Sequence, residues 1–385
     1  MTKVDRYILR NFFRTLLLWY LCLVGLYIVF DLFTNFEDVL SSGKAGVPPA
    51  QQPVNIVLSI GRYYFFKTFQ FFDVLVSLLI MISAMITLST MIRHNEMIPL
   101  LASGISQLRI IMPTIGAAIV VIFLAMACRE LLLPNYLSDI LAKSPGDVGQ
   151  DQGTTVEGMT DMKTGLKLGG GKAFWSTKTI ANPRFILPNG LDKYSKTAIE
   201  AEAAQYLSAT KDRPAGFLFQ NLTIPKELLS QESILFKDEA LVITRVSEDW
   251  IEPTDCFVVC GITFNQLAGG EAWRQYGSTL ELVEGIRSPS LELTTKVNSV
   301  VHSRVTQPIL DLTLLLLGLP IILTKSDRNV FKALGIGALL IIAFLAVQLI
   351  SKEVGVSYQQ PVMGAWFPLI LFVPIAAWLF YDVIR

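Results

Sequence analysis

Apolar residues gather in six runs along the 385-residue chain. Each run approaches the about 20 helical residues needed to cross a hydrocarbon core of ~30 Å. They are Thr15–Phe33, Phe71–Ile92, Ile110–Cys128, Val305–Leu323, Ala333–Ile350 and Pro361–Tyr381. Asp31, Asp73 and Asp311 interrupt the first, second and fourth runs, and the other three carry no charge. Three runs precede a long polar middle and three follow it, which predicts both termini on one side of a membrane. The first run exceeds the usual signal-peptide core, and no small-x-small cleavage pattern follows it at Asp31–Asn35, so it is predicted to be a permanent helix.

The middle, about Pro134–Arg304, follows a different period. Stretches such as Leu241–Val246 and Cys256–Asn265 are rich in Val, Ile, Thr and Phe, which predicts strands. Pro188-Asn189-Gly190, Glu252-Pro253 and Gly269-Gly270 read as turns between them. Short strands with frequent turns predict a sandwich or jelly roll. Ile199–Tyr206 reads as a brief helix, and Ser278-Thr279 as the cap of a second helix carrying Leu280, Leu282 and Val283.

Composition agrees with the runs. Hydrophobic residues make up 52% and charged residues 17%, below the roughly 25% charge of soluble chains. Lys plus Arg and Asp plus Glu are both 32, so no net basic field favours nucleic acid. The distribution of cations nevertheless sets an orientation. If the N-terminus is inside, the inner segments hold Lys3, Arg6, Arg10, Arg14, Arg93, Arg109, Lys325, Arg328, Lys332 and Arg385. The short outer loops hold Lys44 and Lys352, with Arg62 and Lys67 just before the second run. This asymmetry predicts both termini in the cytoplasm.

Candidate chemistry is sparse. Cys256 and Cys260 would stand about 13 Å apart along one strand, too far to bridge one another. Buried free thiols are their plain reading. His94 and His302 are the two histidines, and they form no zinc or catalytic motif. Gly169-Gly170-Gly171-Lys172 is the nearest approach to a phosphate loop. It lacks the earlier glycine and has Ala173 where a magnesium-binding hydroxyl belongs. No cofactor is expected on this chain, and an energy source must come from elsewhere.

Arg93–Ser106 is the most informative short segment. Pro99 suits a first helical turn and Gly104 a left-handed cap, so a short helix is predicted near Glu96–Ser103. Met97, Leu100 and Leu101 share one face, which must be buried in lipid, in the chain's own bundle or in a partner. Asp31, Asp73 and Asp311 are read toward the outer ends of their spans, reaching interfacial water or pairing with Arg62, Lys67 or Arg304. Gln348 is expected to hydrogen-bond another helix.

These landmarks together resemble the lipopolysaccharide-export permease family LptF/LptG. Val4-Asp5-Arg6-Tyr7-Ile8 is similar to its opening, and Arg93–Ser106 to its coupling segment. Glu130 and Pro134 match the exit from its third span. Ser278-Thr279-x-x-Leu282, His302-x-Arg304, Pro308 and Gly318-Leu319-Pro320 match its fourth span and the approach to it. The resemblance implies a membrane protein of the α+β class, with six transmembrane helices (three plus three) and an inserted periplasmic β-jellyroll-like domain. Its parts would be residues 1–133, 134–304 and 305–385. It implies a permease paired with a second permease of the family, driven by a cytoplasmic ABC ATPase dimer. Such a permease takes lipopolysaccharide or a related glycolipid from the inner membrane to a periplasmic bridge protein. Glu96 would dock in the ATPase, with Met97, Leu100, Leu101 and Gly104 completing the coupling contact. Asp31, Arg62, Lys67 and Asp311 are the candidate lining of the lipid cavity. Asp31 stands where exporting members often carry a basic residue, so the cargo is less defined than the machine.

Two other classes fit fewer features. A lipoprotein-type ABC subunit carries its large domain after the first span, whereas here it follows the third. A non-transporting membrane scaffold whose β domain binds an envelope partner needs no docking helix around Glu96. The absence of midplane ion-binding residues disfavours a secondary transporter.

Overall fold

The computed structural model describes residues 2–35, 52–137, 153–191, 194–211, 213–237, 239–288, 290, 294–323 and 330–384. Lys44, Lys325, Arg328 and Arg385, counted above for the charge asymmetry, lie outside them. The chain divides into two compact units. The first takes the described residues within Met1–Phe36, Tyr64–Leu133 and Asn298–Arg385, and the second those within Glu37–Tyr63 and Pro134–Val297.

The helical unit is built from α1 (Lys3–Thr34), α2 (Gln52–Arg93) from Tyr64 onward, α3 (Met97–Ala102), α4 (Gln107–Ala127), α7 (Thr294–Leu323) from Asn298 onward, α8 (Val330–Ser357) and α9 (Pro361–Ile384). All but the short α3 include a segment long and apolar enough to span a membrane, which makes six among the described residues. The helices outrun the apolar runs. α2 begins at Gln52 rather than near Phe71, and α7 at Thr294 rather than Val305. An apolar count finds only the part facing hydrocarbon, whereas backbone hydrogen bonding carries a helix on through polar residues. The second unit accordingly ends at Val297, before the expected change at Arg304.

Helix ends follow local chemistry. Thr2 and Asp5 form a reciprocal capping box at the start of α1. Ser106 caps α4, accepting the Arg109 N–H. α4 then passes into a π-turn, Cys128–Leu132. The core of this unit joins Phe12 and Leu16 of α1 to Ile80, Met81, Ala84 and Leu88 of α2. It continues through Ala118 and Val121 of α4 to Leu314 and Leu315 of α7 and Phe344 of α8. α1 contributes little to it: Leu17, Leu18, Leu21, Leu26 and Phe30 are exposed. So large an open apolar face belongs against lipid or another chain.

The second unit contains an antiparallel sheet. Its strands are β1 (Thr154–Thr155), β2 (Met159–Thr160), β3 (Lys167–Leu168), β4 (Lys172–Phe174), β5 (Thr179–Ala181), β6 (Arg184–Ile186), β7 (Ala198–Leu207), β8 (Gly216–Ile224), β9 (Ile234–Phe236), β10 (Glu239–Thr244) and β11 (Cys256–Val259). The main order is β1-β4-β5-β7-β8-β11-β10-β9, with β2 on β3, β3 on β6 and β6 on β7. β7 organises the sheet. One edge pairs with β6 (Ile199 opposite Phe185) and then with β5 (Ala204 opposite Ile180). The other edge runs along β8. Phe185 packs edge-on against Phe217 and Phe219, with ring centroids 5.4 and 4.9 Å away.

Three expectations are corrected here. Ile199–Tyr206 is strand, because pairing on both edges outweighs the helix propensity of its Ala and Glu residues. Strand β11 stops at Val259, and Thr263 then caps α5 (Phe264–Tyr276), so Phe264 and Asn265 are helical. Gly269-Gly270 lies inside α5 as a kink, with Gly270 at φ 47°, rather than in a turn between strands. The expected helix after Ser278 is α6 (Thr279–Arg287), capped by that serine.

Cys256 and Cys260 are free and buried. Burial, with Asp255 nearby, pushes the Cys256 thiol up to about 12. Burial and the adjacent Asp161 push Cys260 up as well. Both groups therefore stay protonated, and the thiol is the unreactive form. Iodoacetamide at pH 8 should label both at least about tenfold more slowly in the folded protein than after denaturation, read by peptide mass spectrometry. Equal labelling rates would show that this part of the sheet opens readily.

Candidate functional site

The segment from α2 to α4 is a tightly closed turn. Asn95 takes a left-handed conformation at φ 56°, and the Glu96 N–H returns to the Met91 carbonyl at 2.9 Å. α3 follows and ends in a Schellman motif. Ile105 N–H reaches the Leu100 carbonyl at 3.2 Å and Gly104 N–H the Leu101 carbonyl at 3.0 Å. Gly104 sits at φ 85°, a conformation that costs a side chain free energy, which explains glycine here.

The turn fixes which face of α3 points inward. Met97 is 7% exposed and packs with Ile8 of α1, Met91 of α2 and Ile110 of α4. Leu100, Leu101 and Ile105 pack around the same cluster, with Val4 and Leu323. The apolar face thus packs against the chain's own bundle, one of the three coverings expected for it, with Met97 buried and Leu100 and Leu101 half-buried. The open face instead carries Ile98, 59% exposed, with Pro99, Ala102 and Ser103. Glu96 is half-buried at its edge, and its Oε1 accepts a hydrogen bond of 3.0 Å from the Tyr7 hydroxyl. Arg109 of α4 reaches Asp5 of α1 at 3.1 Å, tying a third helix to this corner.

A second polar constellation lies along α2. Asp73 is 20 residues before Arg93, so helix rise puts it about 30 Å from α3, one bilayer core away. It meets Arg129 of the π-turn at 2.7 Å, both side chains largely buried. Arg304 of α7 lies 3.5 Å from Glu130. Two turns along α7 from Arg304, Asp311 is 3% exposed and takes hydrogen bonds from Ser77 at 2.5 Å and Gln307 at 2.8 Å. The expectation that Asp311 reaches interfacial water is therefore corrected, since the packing of α2 against α7 encloses it. A one-residue insertion such as a π-turn re-aims side chains, and here it brings Arg129 to α2 and Glu130 to α7.

Asp31, at the end of α1, accepts hydrogen bonds from Tyr27 at 3.3 Å, Asn35 at 3.2 Å and Tyr64 at 2.9 Å. Lys67 interacts with it electrostatically from α2. Arg62 is exposed on α2, in the part of that helix grouped with the second unit. Asp31 is thus held by Tyr27, Asn35 and Tyr64, while Asp311 belongs to the separate cluster with Ser77. Gln348 Nε2 is buried without a hydrogen-bond partner among the described residues, against the expectation for it. The glycines at 169–171 form no phosphate cradle. A side chain on Gly171 would lie 1.7 Å from the Ala181 carbonyl, so the run serves close strand packing.

A family model described as "Lipopolysaccharide export system permease LptF/LptG" matches residues 6–159 and 195–382. The chain belongs to the LptF/LptG permease family. A search of curated proteins finds no match. The matched ranges take in α3, all of its named bundle contacts but Val4, and the whole buried polar constellation of this LptF/LptG permease. The interval between them holds β3 to β6, the strands lying along one edge of β7. It is a multi-pass inner-membrane protein of mixed helix and sheet, a lipopolysaccharide-export permease and a transporter subunit rather than an enzyme.

Sequence reading gave no contact role to Tyr7, Arg109, Arg129, Ser77 and Gln307. Most of their partners lie far away in the chain, and only Gln307 stands at helical i,i+4 spacing from its partner Asp311. The Asp73–Arg129 pair makes a testable case. Removing one partner of a buried ion pair costs about 3–5 kcal/mol, while removing both costs far less. Arg129→Met should sharply lower the thermal stability of the detergent-purified permease, and Arg129→Met with Asp73→Leu should recover most of it. A double variant no better than the single would refute the pairing.

Proposed function

We propose that this LptF/LptG permease is the membrane subunit of an ATP-driven exporter. It extracts lipopolysaccharide or a related glycolipid from the inner membrane and passes it toward a periplasmic bridge protein. Family membership supports the cargo class, and the cation asymmetry supports cytoplasmic termini and a periplasmic sheet unit. The open apolar surface of α1 supports a second permease as neighbour.

The observation that carries the reading is the presentation of α3. A six-residue helix, locked to its bundle by a buried apolar face, holds Glu96, Ile98 and Pro99 outward at the loop that this orientation places in the cytoplasm. In this reading the ATPase contacts Glu96 and the Ile98–Pro99–Ala102 face, while Met97, Leu100 and Leu101 transmit. A push on α3 reaches α1 through Ile8 and α4 through Ile110, because a close-packed cluster transmits displacement. At the opposite boundary, Asp31 and Lys67 set the charge met by a lipid headgroup, and Asp311 acts as an internal helix tie.

Purification of the full-length chain from its native membrane in mild detergent, with mass spectrometry of bound protein and lipid, tests the reading. A co-purifying cytoplasmic ATPase and a glycolipid are expected. Recovery of neither would move the protein to the scaffold class. Glu96→Lys should reduce ATPase recovery more than tenfold, since reversing a docking charge costs several kcal/mol, while membrane insertion stays intact. Asp31→Lys should increase photocrosslinking of a phosphorylated glycolipid at the end of α1. An unchanged yield would remove Asp31 from the cavity.

A further inference from the structure

Glu96 is held unlike an ordinary loop carboxylate. A carboxylate has about four lone-pair positions, and here the Tyr7 hydroxyl fills one on Oε1. Oε2 is shielded from solvent and has no donor among the described residues. The capacity for a cationic N–H donor from outside therefore lies on Oε1, whose bond to Tyr7 is at the surface. Charge-assisted bonds of that kind are the strong ones.

The donor that is present stands on a rigid mount. Tyr7 follows the capping box of Thr2 and Asp5, and Asp5 is tied to Arg109 at 3.1 Å. Ile8, its neighbour, is fully buried in the cluster that also holds Met97. A tyrosine has only two side-chain torsions, so placing its hydroxyl costs less ordering than placing a longer flexible side chain, although Tyr7 itself is 41% exposed. Glu96 has three, and its position at the start of α3 supplies no side-chain cap bond to restrain them.

We propose that Tyr7 is a positioning residue which preorients the Glu96 carboxylate for the cationic group of the ATPase. The proposal rests on the reading above that Glu96 docks there. The hydroxyl of Tyr7 spares the complex the ordering of one flexible side chain. It also puts the first span, through α1, in direct contact with the docked group.

A double-mutant cycle on the full-length permease in nanodiscs tests this, titrating the ATPase subunit that co-purifies with it. Tyr7→Phe removes only the hydroxyl, and it should weaken association roughly threefold to tenfold, the value of ordering one such side chain. In the Glu96→Ala background, Tyr7→Phe should change nothing further. An unchanged affinity for Tyr7→Phe alone would overturn the proposal. So would an equal loss in both backgrounds, which would mark a general disturbance of α1. If Glu96→Ala itself leaves affinity unchanged, the docking reading fails before Tyr7 is at issue.

Discussion

Hydrocarbon offers no hydrogen-bond partners, and the helical unit is arranged around that constraint. A polar group within it must find its partner in the protein or lose several kcal/mol of solvation. Asp73 meets Arg129, Glu130 meets Arg304, and Asp311 meets Ser77 and Gln307. These contacts cross-link α2, α4 and α7, and α2 and α7 are the helices whose apolar stretches are most buried. Apolar packing alone discriminates weakly between helix registers in lipid, because lipid tails are as apolar as leucine. The ion pairs have fixed geometry, and a shift of one turn would break them. They therefore set register where hydrophobicity cannot.

At the other end of the same helices, the dominant effect is burial from water. α3 is short enough that its own backbone bonds would not hold it. The Schellman turn at Gly104, the left-handed Asn95 and the cluster around Met97 and Ile110 hold it instead. Six residues are thereby made a rigid projection of three longer helices. A partner pressing on Ile98 or Glu96 acts on that assembly rather than on a flexible loop.

Helix α3 also shows where sequence reading stops. Its boundaries follow from Pro99 and Gly104, and its apolar face from the spacing of Met97, Leu100 and Leu101. Periodicity says that such a face is covered, but not by what, and the packing of Met97 against Ile8, Met91 and Ile110 depends on residues elsewhere in the chain. The six spans were legible because each comes close to the length that a bilayer core requires, whereas their polar extensions at Gln52 and Thr294 were not. β7 was missed because Ala and Glu favour helix locally, while Phe185 and the β8 strand that decide the matter lie elsewhere in the chain. The acids were visible individually, but a contact such as Asp73 to Arg129 bridges 56 positions and leaves no pattern.

The acid at the end of α1 takes a different meaning from the same constraint. Met alone, Asp31 would repel a lipid phosphate. In the structure three donors satisfy its oxygens and the Lys67 ammonium interacts with it, so an approaching anion meets a pair of opposite charges. The field of such a pair falls off faster than that of a bare charge, and salt screens it further. Arg62 is placed differently. Five residues along a helix rotate it about 140° from Lys67 and lift it about 7.5 Å, so the two cations occupy different faces.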